Sequence, residues 1–504
     1  MEEREVGRDV LGGDRYTVLV GDCRETMRGL PVGCVQVCFT SPPYFGLRDY
    51  QAPASVWGGD GTGGCEHEWG DTIPGSSRGG SGTPTGRNGR GEQYARGAEK
   101  GQVCQRCGAW FGCLGAEPTP QLFVAHLVEV MREVWRVLRD DGCVFLNIAD
   151  NHFGDSPTRT KSAESFSATW DPAQTASRGG GRRSAKSVDG LRPKSLCLVP
   201  ERLALALADD GWIIRNRCSW MKGCSYLPEW SGSVMPSSAA DRFTVSEEPV
   251  WFLTKQPTYF FDQVAVSEGK AFPDDNRKPY APGQVDDRGD GHDRGGGTEL
   301  KRSTGTRAPR SVWAVQTEPL GEGHFAAFPE RLPEIGILAA SAEKSCAKCG
   351  APWQRMVEKE RSHESGSGKS GNAPVGKWGE SLQGGGGTGD IRNGPCVKVT
   401  TIGFAPTCNC NSTADTVPSI VLDPFVGSGT TGRVALRHGR RFIGCEINEE
   451  YAAMARRGIE RWHVKRPRSI PSPPEKMVGD LFGTLERSDP EGQMEFTIEE
   501  GDEV

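Results

Sequence analysis

Several features are missing from this 504-residue sequence. No run of about 18 apolar residues occurs, so no membrane-spanning helix and no membrane partner are expected. The opening residues, MEEREVGRDV, are charged and have no apolar centre, so no secretion signal is expected there and the chain reads as cytoplasmic. An excess of one charge sign is also missing: 60 Lys and Arg oppose 66 Asp and Glu, for a net charge of −6. Any surface for a polyanion must then be a local patch. No internal repeat of fixed period is visible, two short cysteine segments aside.

Glycine and cysteine are abundant, at 68 and 17 residues. The glycines concentrate in 58–101, 154–190, 283–309 and 364–394, stretches poor in large apolar residues that read as surface insertions or disordered loops. The acidic end, 467–504, reads as a solvated tail. Cysteines in a cytoplasmic chain are expected to be reduced, so paired spacings suggest metal before disulfides.

Periodic segments remain once the loops are removed. YTVLVGD (16–22) and CVQVCFT (34–40) read as strands around a short helix, a βαβ unit that implies a parallel sheet. Thr119 and Pro120 look like the cap and first residue of a helix whose Phe123, Leu127, Val130, Met131, Val134 and Leu138 share one face. After it, DDG is expected to turn the chain into a strand over 143–150. A helix over 200–211 and strands in WIIRNRCSW and EPVWFLTK follow. SIVLD, a glycine turn, a helix through His438, RRFIGCEI and EEYAAMARRGI complete a doubly wound, mostly parallel α/β sheet, Rossmann-like, interrupted by Gly-rich and Cys-containing insertions.

Gly427, Gly429 and Gly432 fit G-x-G-x-x-G between a strand and a helix, and Glu446 ends the next strand. Glycines allow a tight turn and close approach of a ligand, while a carboxylate can accept both hydroxyls of a ribose. This leaves a dinucleotide and S-adenosyl-L-methionine both open. Asp423 and Phe425, just before the glycines, favour a cationic, amino-acid-bearing cofactor over a pyrophosphate. Far upstream, the strand ending at Thr40 runs into Ser41, Pro42, Pro43 and Tyr44. A Pro-Pro pair cannot extend a sheet, because each ring removes a donor and fixes φ. The tip thus presents carbonyls and the Ser41 hydroxyl, with Ser41 and Tyr44 expected to be exposed.

Together these segments resemble the DNA amino-methyltransferases, the N4-cytosine/N6-adenine family, in the permuted beta branch where the substrate motif precedes the cofactor motif. TSPPY is similar to the catalytic tetrapeptide, DPFVGSGTT to the cofactor loop and GCEI to the ribose-binding strand end. VGDCRETMRGLP resembles the motif whose Asp, here Asp22, faces the cofactor adenine. RFTVSEEPVWFLTKQPTYFFD resembles a late catalytic strand. GHFAAFPERL resembles the motif that flanks the methionine end, with Phe328 in it. The likeness covers roughly 15–50, 115–150, 191–262, 311–345 and 412–465. WMKGCSYLPEWSGS departs from the family pattern, so nothing is carried over between 220 and 240.

The resemblance implies methyl transfer from S-adenosyl-L-methionine to the exocyclic amine of a flipped base in double-stranded DNA. Such an amine is a poor nucleophile, since its lone pair is delocalised into the ring. Acceptors for its hydrogens help, and Ser41 Oγ and the Pro42 carbonyl supply them, with Tyr44 as a stacking face. Gly427, Gly429, Thr430, Phe425, Asp423 and Glu446 then hold the cofactor. Serine at position 41 is the form usual in N4-cytosine enzymes; N6-adenine is the alternative. A cognate restriction endonuclease is the expected partner. An RNA or protein-glutamine substrate fits less well, since those enzymes carry the motifs in the reverse order. A zinc-ribbon DNA-binding protein with a dead catalytic domain fits less well because the glycines, Glu446 and Ser41 are intact. An oxidoreductase leaves the tetrapeptide without a role.

CQRCGAW holds Cys104 and Cys107, and CAKCGAPW holds Cys346 and Cys349. C-x-x-C allows two thiolates to hold one tetrahedral ion. Cys65 and His67 are candidates to complete the first site, Cys408 and Cys410 the second, and Cys113 and Cys396 are strays. The ion is expected to be structural zinc, since four protein ligands leave no open position. A DNA substrate implies phosphate contacts, for which 177–194, 301–310 and 461–468 are the basic candidates, although each by itself reads more readily as a solvated loop or tail. The catalytic domain is read as residues 1–50, 119–261, 311–345 and 412–466. Insertions lie at 51–118, 262–310 (a candidate target-recognition element) and 346–411, with the tail at 467–504.

Overall fold

The computed structural model describes residues 11, 14–46, 52–59, 64–74, 100–153, 191–192, 194–226, 232–234, 237, 239–269, 306–317, 328–362, 396–410 and 415–464. The chain divides into two units. The first comprises Met1–Val266, Pro309–Val357 and Thr401–Arg466; the second comprises Ser267–Ala308, Glu358–Thr400 and Pro467–Val504. Described residues of the second include an antiparallel pair, Glu268–Gly269 with Thr306–Arg307.

An eight-stranded sheet organises the first unit. Its strands are β1 (Tyr16–Val20), β2 (Val35–Thr40), β3 (Leu138–Asn147), β4 (Ile213–Met221), β5 (Glu247–Thr254), β6 (Val312–Ala314), β7 (Ile420–Asp423) and β8 (Arg441–Glu446). They lie in the order β1-β8-β7-β2-β3-β5-β4-β6. All pairings are parallel except those of β5, which runs against both β3 and β4.

Among the described residues, six helices cover this sheet: α1 (Cys23–Arg28), α2 (Pro120–Val137), α3 (Val199–Asp209), α4 (Arg331–Ala340), α5 (Thr430–Arg437) and α6 (Glu449–Val464). Because successive strand residues point to opposite faces, Cys38, Val144 and Leu253 join a core with α1, α2 and α3, while Phe39, Phe145 and Phe252 join another with α4, α5 and α6. The three phenylalanines are in register across β2, β3 and β5. Phe145 and Phe252 stack at 4.8 Å with planes 6° apart. Helices on both faces explain why β2 is buried at every position.

The capping residues act as read: Thr119 Oγ1 accepts from the Leu122 amide at 3.2 Å, and Pro120 opens α2. DDG does not separate helix and strand by a turn; it lies in a bulge of β3. β3 starts directly at Leu138, which is fully buried. Arg139 clamps Asp141 through two hydrogen bonds, 2.8 and 3.0 Å, within a bulge: Val35 pairs with Leu138 but Val37 with Cys143.

Candidate active site

Parallel strands bring their carboxyl ends to one edge, where an open α/β sheet forms its ligand crevice. Val20 pairs with Glu446, Asp423 with Gly444, and Thr40 with Leu146. The tetrapeptide after β2, the glycine loop after β7 and Glu446 at the end of β8 therefore share this edge.

Val426 donates to the Cys445 carbonyl at 3.0 Å, which folds the glycine loop over β8. Glu446 accepts from the Gly427 amide on Oε2 (3.0 Å) and from the Asn448 amide on Oε1 (3.1 Å). Burial pushes its carboxyl above the usual range despite these two donors. Gly429 takes a left-handed φ of +82° and caps α5. A Cβ there would lie 3.1 Å from the Cα and the carbonyl oxygen of Ala455, so this glycine serves packing on α6. At Gly427, φ +49°, a Cβ would meet only the Phe425 carbonyl, at 3.9 Å, and otherwise point into open space. Of the two, 427 is the position where an added side chain would enter open space. Gly427→Val is expected to weaken S-adenosylmethionine binding at least about tenfold with a modest loss of thermal stability, since a left-handed residue costs about 1–2 kcal/mol. Gly429→Val is expected to lower the melting temperature more. Calorimetry and thermal unfolding of the two variants check this.

Asp423 is almost wholly buried, at 1% exposure. Its Oδ1 accepts from Thr40 Oγ1 at 2.7 Å and from the Phe425 amide at 3.1 Å; its Oδ2 accepts from Thr431 Oγ1 at 2.7 Å. The sequence suggested an acid facing a cationic ligand; the geometry instead spends this acid on tying the end of β2 to the glycine loop. Burial raises its pKa to about 6, against the lowering effect of the three donors. Asp22 caps α1 through the Arg24 amide (2.9 Å) and is gripped by the Arg24 guanidinium at 2.8 and 3.1 Å. Burial alone would raise its carboxyl; the guanidinium and the cap win and hold it below the usual range. Thr430, buried at the start of α5, contacts the Ser428 hydroxyl at 3.2 Å and accepts from Arg433. Phe425 is half-buried, and Phe328 packs edge-on against Phe39 with ring centres 5.4 Å apart.

The tetrapeptide is less open than the sequence suggested. Ser41, Pro43 and Tyr44 are half-buried and Pro42 is buried. Ser41 Oγ donates to the Tyr44 hydroxyl at 3.1 Å, and that hydroxyl lies 2.8 Å from Glu248 Oε2 and 3.0 Å from Asn147 Oδ1. The Asn147 amide also donates to Glu248 Oε2, at 3.2 Å, and Lys222 pairs with Glu248 Oε1. The sequence reading missed Asn147, Lys222 and Glu248. They meet because β5 is reversed, so its first residues stand at the same edge as the last residues of β3 and β4. The available signals were a polar residue ending an apolar strand (CVFLN) and an acidic pair opening another (EEPVWFLT).

Both sets of metal-ligand residues come together. Ligand atoms of Cys65, His67, Cys104 and Cys107 lie within 4.8 Å of one another, and so do those of Cys346, Cys349, Cys408 and Cys410. The basic stretches fall largely outside the described residues: 177–190, 301–305 and 465–468 do. So do most of the 262–310 segment and the whole 467–504 tail. Among the described residues, no helix is long and apolar enough to cross a membrane.

A Rossmann-like sheet that sets a glycine loop beside a donor-poor proline tip has the architecture of a methyltransferase. A profile described as DNA methylase, of the N6/N4 type, matches residues 35–346 and 412–457. The chain belongs to that family and is an S-adenosylmethionine-dependent DNA methyltransferase of the N4-cytosine/N6-adenine kind. Type II methyltransferase M.SmaI of Serratia marcescens is 25% identical over 445 residues, covering 88% of this chain and 90% of its own. Type II methyltransferase M.SfiI of Streptomyces fimbriatus is 27% identical over 482 residues, covering 87% and 90%. A shorter likeness, 61% over 41 residues, links 8% of this chain to 14% of DNA adenine methyltransferase YhdJ of Escherichia coli K12. Among solved structures, PvuII DNA methyltransferase (cytosine-N4-specific) aligns over 93% of this chain and 91% of its own at 13% identity and a TM-score of 0.39.

Proposed function

We propose that the protein methylates N4 of cytosine in double-stranded DNA, on a base swung out of the helix. The carrying observation is the direction of hydrogen bonding at the tip. Ser41 donates to Tyr44, and Tyr44 can donate onward to the Glu248 carboxylate. With its own hydrogen spent, the Ser41 oxygen faces a substrate as an acceptor, and chained hydrogen bonds strengthen it in that role. A target amine N–H donates to Ser41 Oγ and to the Pro42 carbonyl, which turns the nitrogen lone pair out of conjugation and toward the methyl group. The half-buried tip supports base extrusion, since a paired base cannot bring its amine to a strand end within a crevice.

The cofactor loop supports the donor. Each oxygen of Glu446 accepts one backbone N–H, and a carboxylate oxygen has room for about two. The capacity left on this carboxylate suits a ribose hydroxyl as a further donor. Gly427 leaves space for the ligand, and Phe425 and Phe328 supply apolar surface. Asp22 is held by Arg24, so its part in binding adenine is indirect, through the shape of the β1–α1 turn.

Serine at 41, where the N6-adenine enzymes usually carry Asp, favours cytosine. The local likeness to an adenine methyltransferase supports N6-adenine as the second reading. Nucleoside digestion and mass spectrometry of DNA treated with the enzyme separate them. N4-methylcytosine is the expected product, and N6-methyladenine alone overturns the assignment. The Type II names of the long relatives support a partner endonuclease reading the same sequence, against which DNA modified by this enzyme is resistant.

A further inference from the structure

We propose that the chain holds two structural zinc ions, one on Cys65, His67, Cys104 and Cys107 and one on Cys346, Cys349, Cys408 and Cys410. Methyl transfer uses neither set. Every ligand atom within a set lies within 4.8 Å of the others. In the first, the sulfurs of Cys65 and Cys104 are 3.9 Å apart, and Cys107 Sγ is 3.5 Å from His67 Nδ1. A tetrahedral ion with zinc–sulfur bonds of about 2.3 Å separates its sulfurs by about 3.8 Å. The same 3.9 Å is nearly twice a disulfide bond, about 2.05 Å.

A second observation is independent of side-chain positions. Segments more than 200 residues apart fold the same turn. Cys104 N donates to the Ala109 carbonyl (2.7 Å) and Gly108 N to the Cys104 carbonyl (3.0 Å). Cys346 N donates to the Ala351 carbonyl (2.8 Å) and Gly350 N to the Cys346 carbonyl (2.8 Å). Gly108 and Gly350 have φ of +74° and +70°. This turn aims both thiols of a C-x-x-C pair at one point and directs nearby amides toward the first sulfur, the arrangement a thiolate–metal site requires. Binding displaces three thiol protons at the first site, where His67 ligates as neutral imidazole, and four at the second.

Closed sets of four ligands leave no position for substrate, so the ions act on structure. The first ion closes the 51–118 insertion, whose large buried apolar side chains among the described residues are Trp57, Trp110 and Leu114. That insertion stacks Trp57 on His126 of α2 (5.6 Å) and bonds Gly46, just past the tetrapeptide, to the Gly115 carbonyl at 2.8 Å. The second ion joins the strands Ser345–Cys346 and Thr416–Val417 and fixes the Cys349 carbonyl, which accepts from Arg139 at 2.7 Å. One insertion thus supports the tip and the other the start of β3.

Metal analysis of the full-length chain, purified reduced and without chelator, tests this. Two zinc and no iron per chain are expected, with one remaining in Cys104→Ser and one in Cys349→Ser. Cobalt titration of the metal-stripped wild-type chain keeps the test decisive if a variant fails to fold. Two equivalents are expected to develop thiolate-to-cobalt charge-transfer absorption, while the ligand thiols stop reacting with Ellman's reagent. Full thiol reactivity with no such absorption overturns both sites. Saturation at one equivalent overturns the site whose thiols stay reactive, and iron in place of zinc overturns the identity of the ion.

Discussion

Replacing Ser41 by alanine is expected to lower turnover by about 10²–10³ while leaving S-adenosylmethionine affinity within about twofold; removal of one preorganised hydrogen bond to developing transition-state charge costs about 2.7–4 kcal/mol. The target nitrogen becomes more positive as it attacks the sulfonium methyl, so its hydrogens donate more strongly in the transition state than in the ground state. An acceptor on those hydrogens therefore accelerates the step instead of only holding substrate. Ser41 suits this task because its own hydrogen is committed to Tyr44, 3.1 Å away, and Tyr44 stands against Glu248. None of the hydrogen bonds that shape the glycine loop involves Ser41, which is why cofactor affinity survives the change. Single-turnover rates on duplex DNA and calorimetric titration of the cofactor give the two numbers. Wild-type turnover in Ser41→Ala would remove the tip from the chemistry, and equal losses in both numbers would assign it to folding of the crevice.

The parts of this site legible in the sequence are those encoded by consecutive residues. The glycine loop, the proline tip and the C-x-x-C turns each carry their geometry within a few positions, because Gly and Pro constrain φ locally. Strand and helix segments were readable for the same reason: burial on two faces leaves continuous apolar runs, and burial on one helix face leaves a 3.6-residue period. The direction of a strand leaves no such trace. EEPVWFLT reads alike whichever way it runs, so the meeting of Glu248 with Tyr44, Asn147 and Lys222 was hidden, and Lys222 also sits where the family pattern is interrupted. The aim of a side chain is hidden in the same way. An acid at the end of β7 was evident, but not that its oxygens face Thr40 and Thr431. Gly429 was read as making room for a ligand, whereas the nearest atoms to its missing Cβ belong to Ala455.

Asp423→Ala is expected to abolish detectable methylation and cofactor binding together and to destabilise the fold. Three donors, the hydroxyls of Thr40 and Thr431 and the Phe425 amide, lose their acceptor inside a site with 1% exposure. Each orphaned buried donor costs about 1–3 kcal/mol before the surroundings relax. On the proposed mechanism the loss is also functional, because this carboxylate ties Thr40, the residue before the substrate tip, to Thr431 beside the cofactor loop. Asp423→Asn separates the charge from the geometry. The wild-type pKa is raised from 3.8 to about 6 by burial. A carboxyl raised in the folded state favours folding most fully below its unfolded pKa, and that contribution is lost as pH rises through the folded value. Relative to the asparagine variant, wild-type stability is thus expected to fall between about pH 4 and pH 6 and then level off; two pKa units correspond to roughly 3 kcal/mol. Melting temperatures of the two proteins across pH 4 to 8 measure the difference. A gap that stays constant through that window would mean that Asp423 is fully ionised in the folded protein throughout, and that the three donors outweigh its burial.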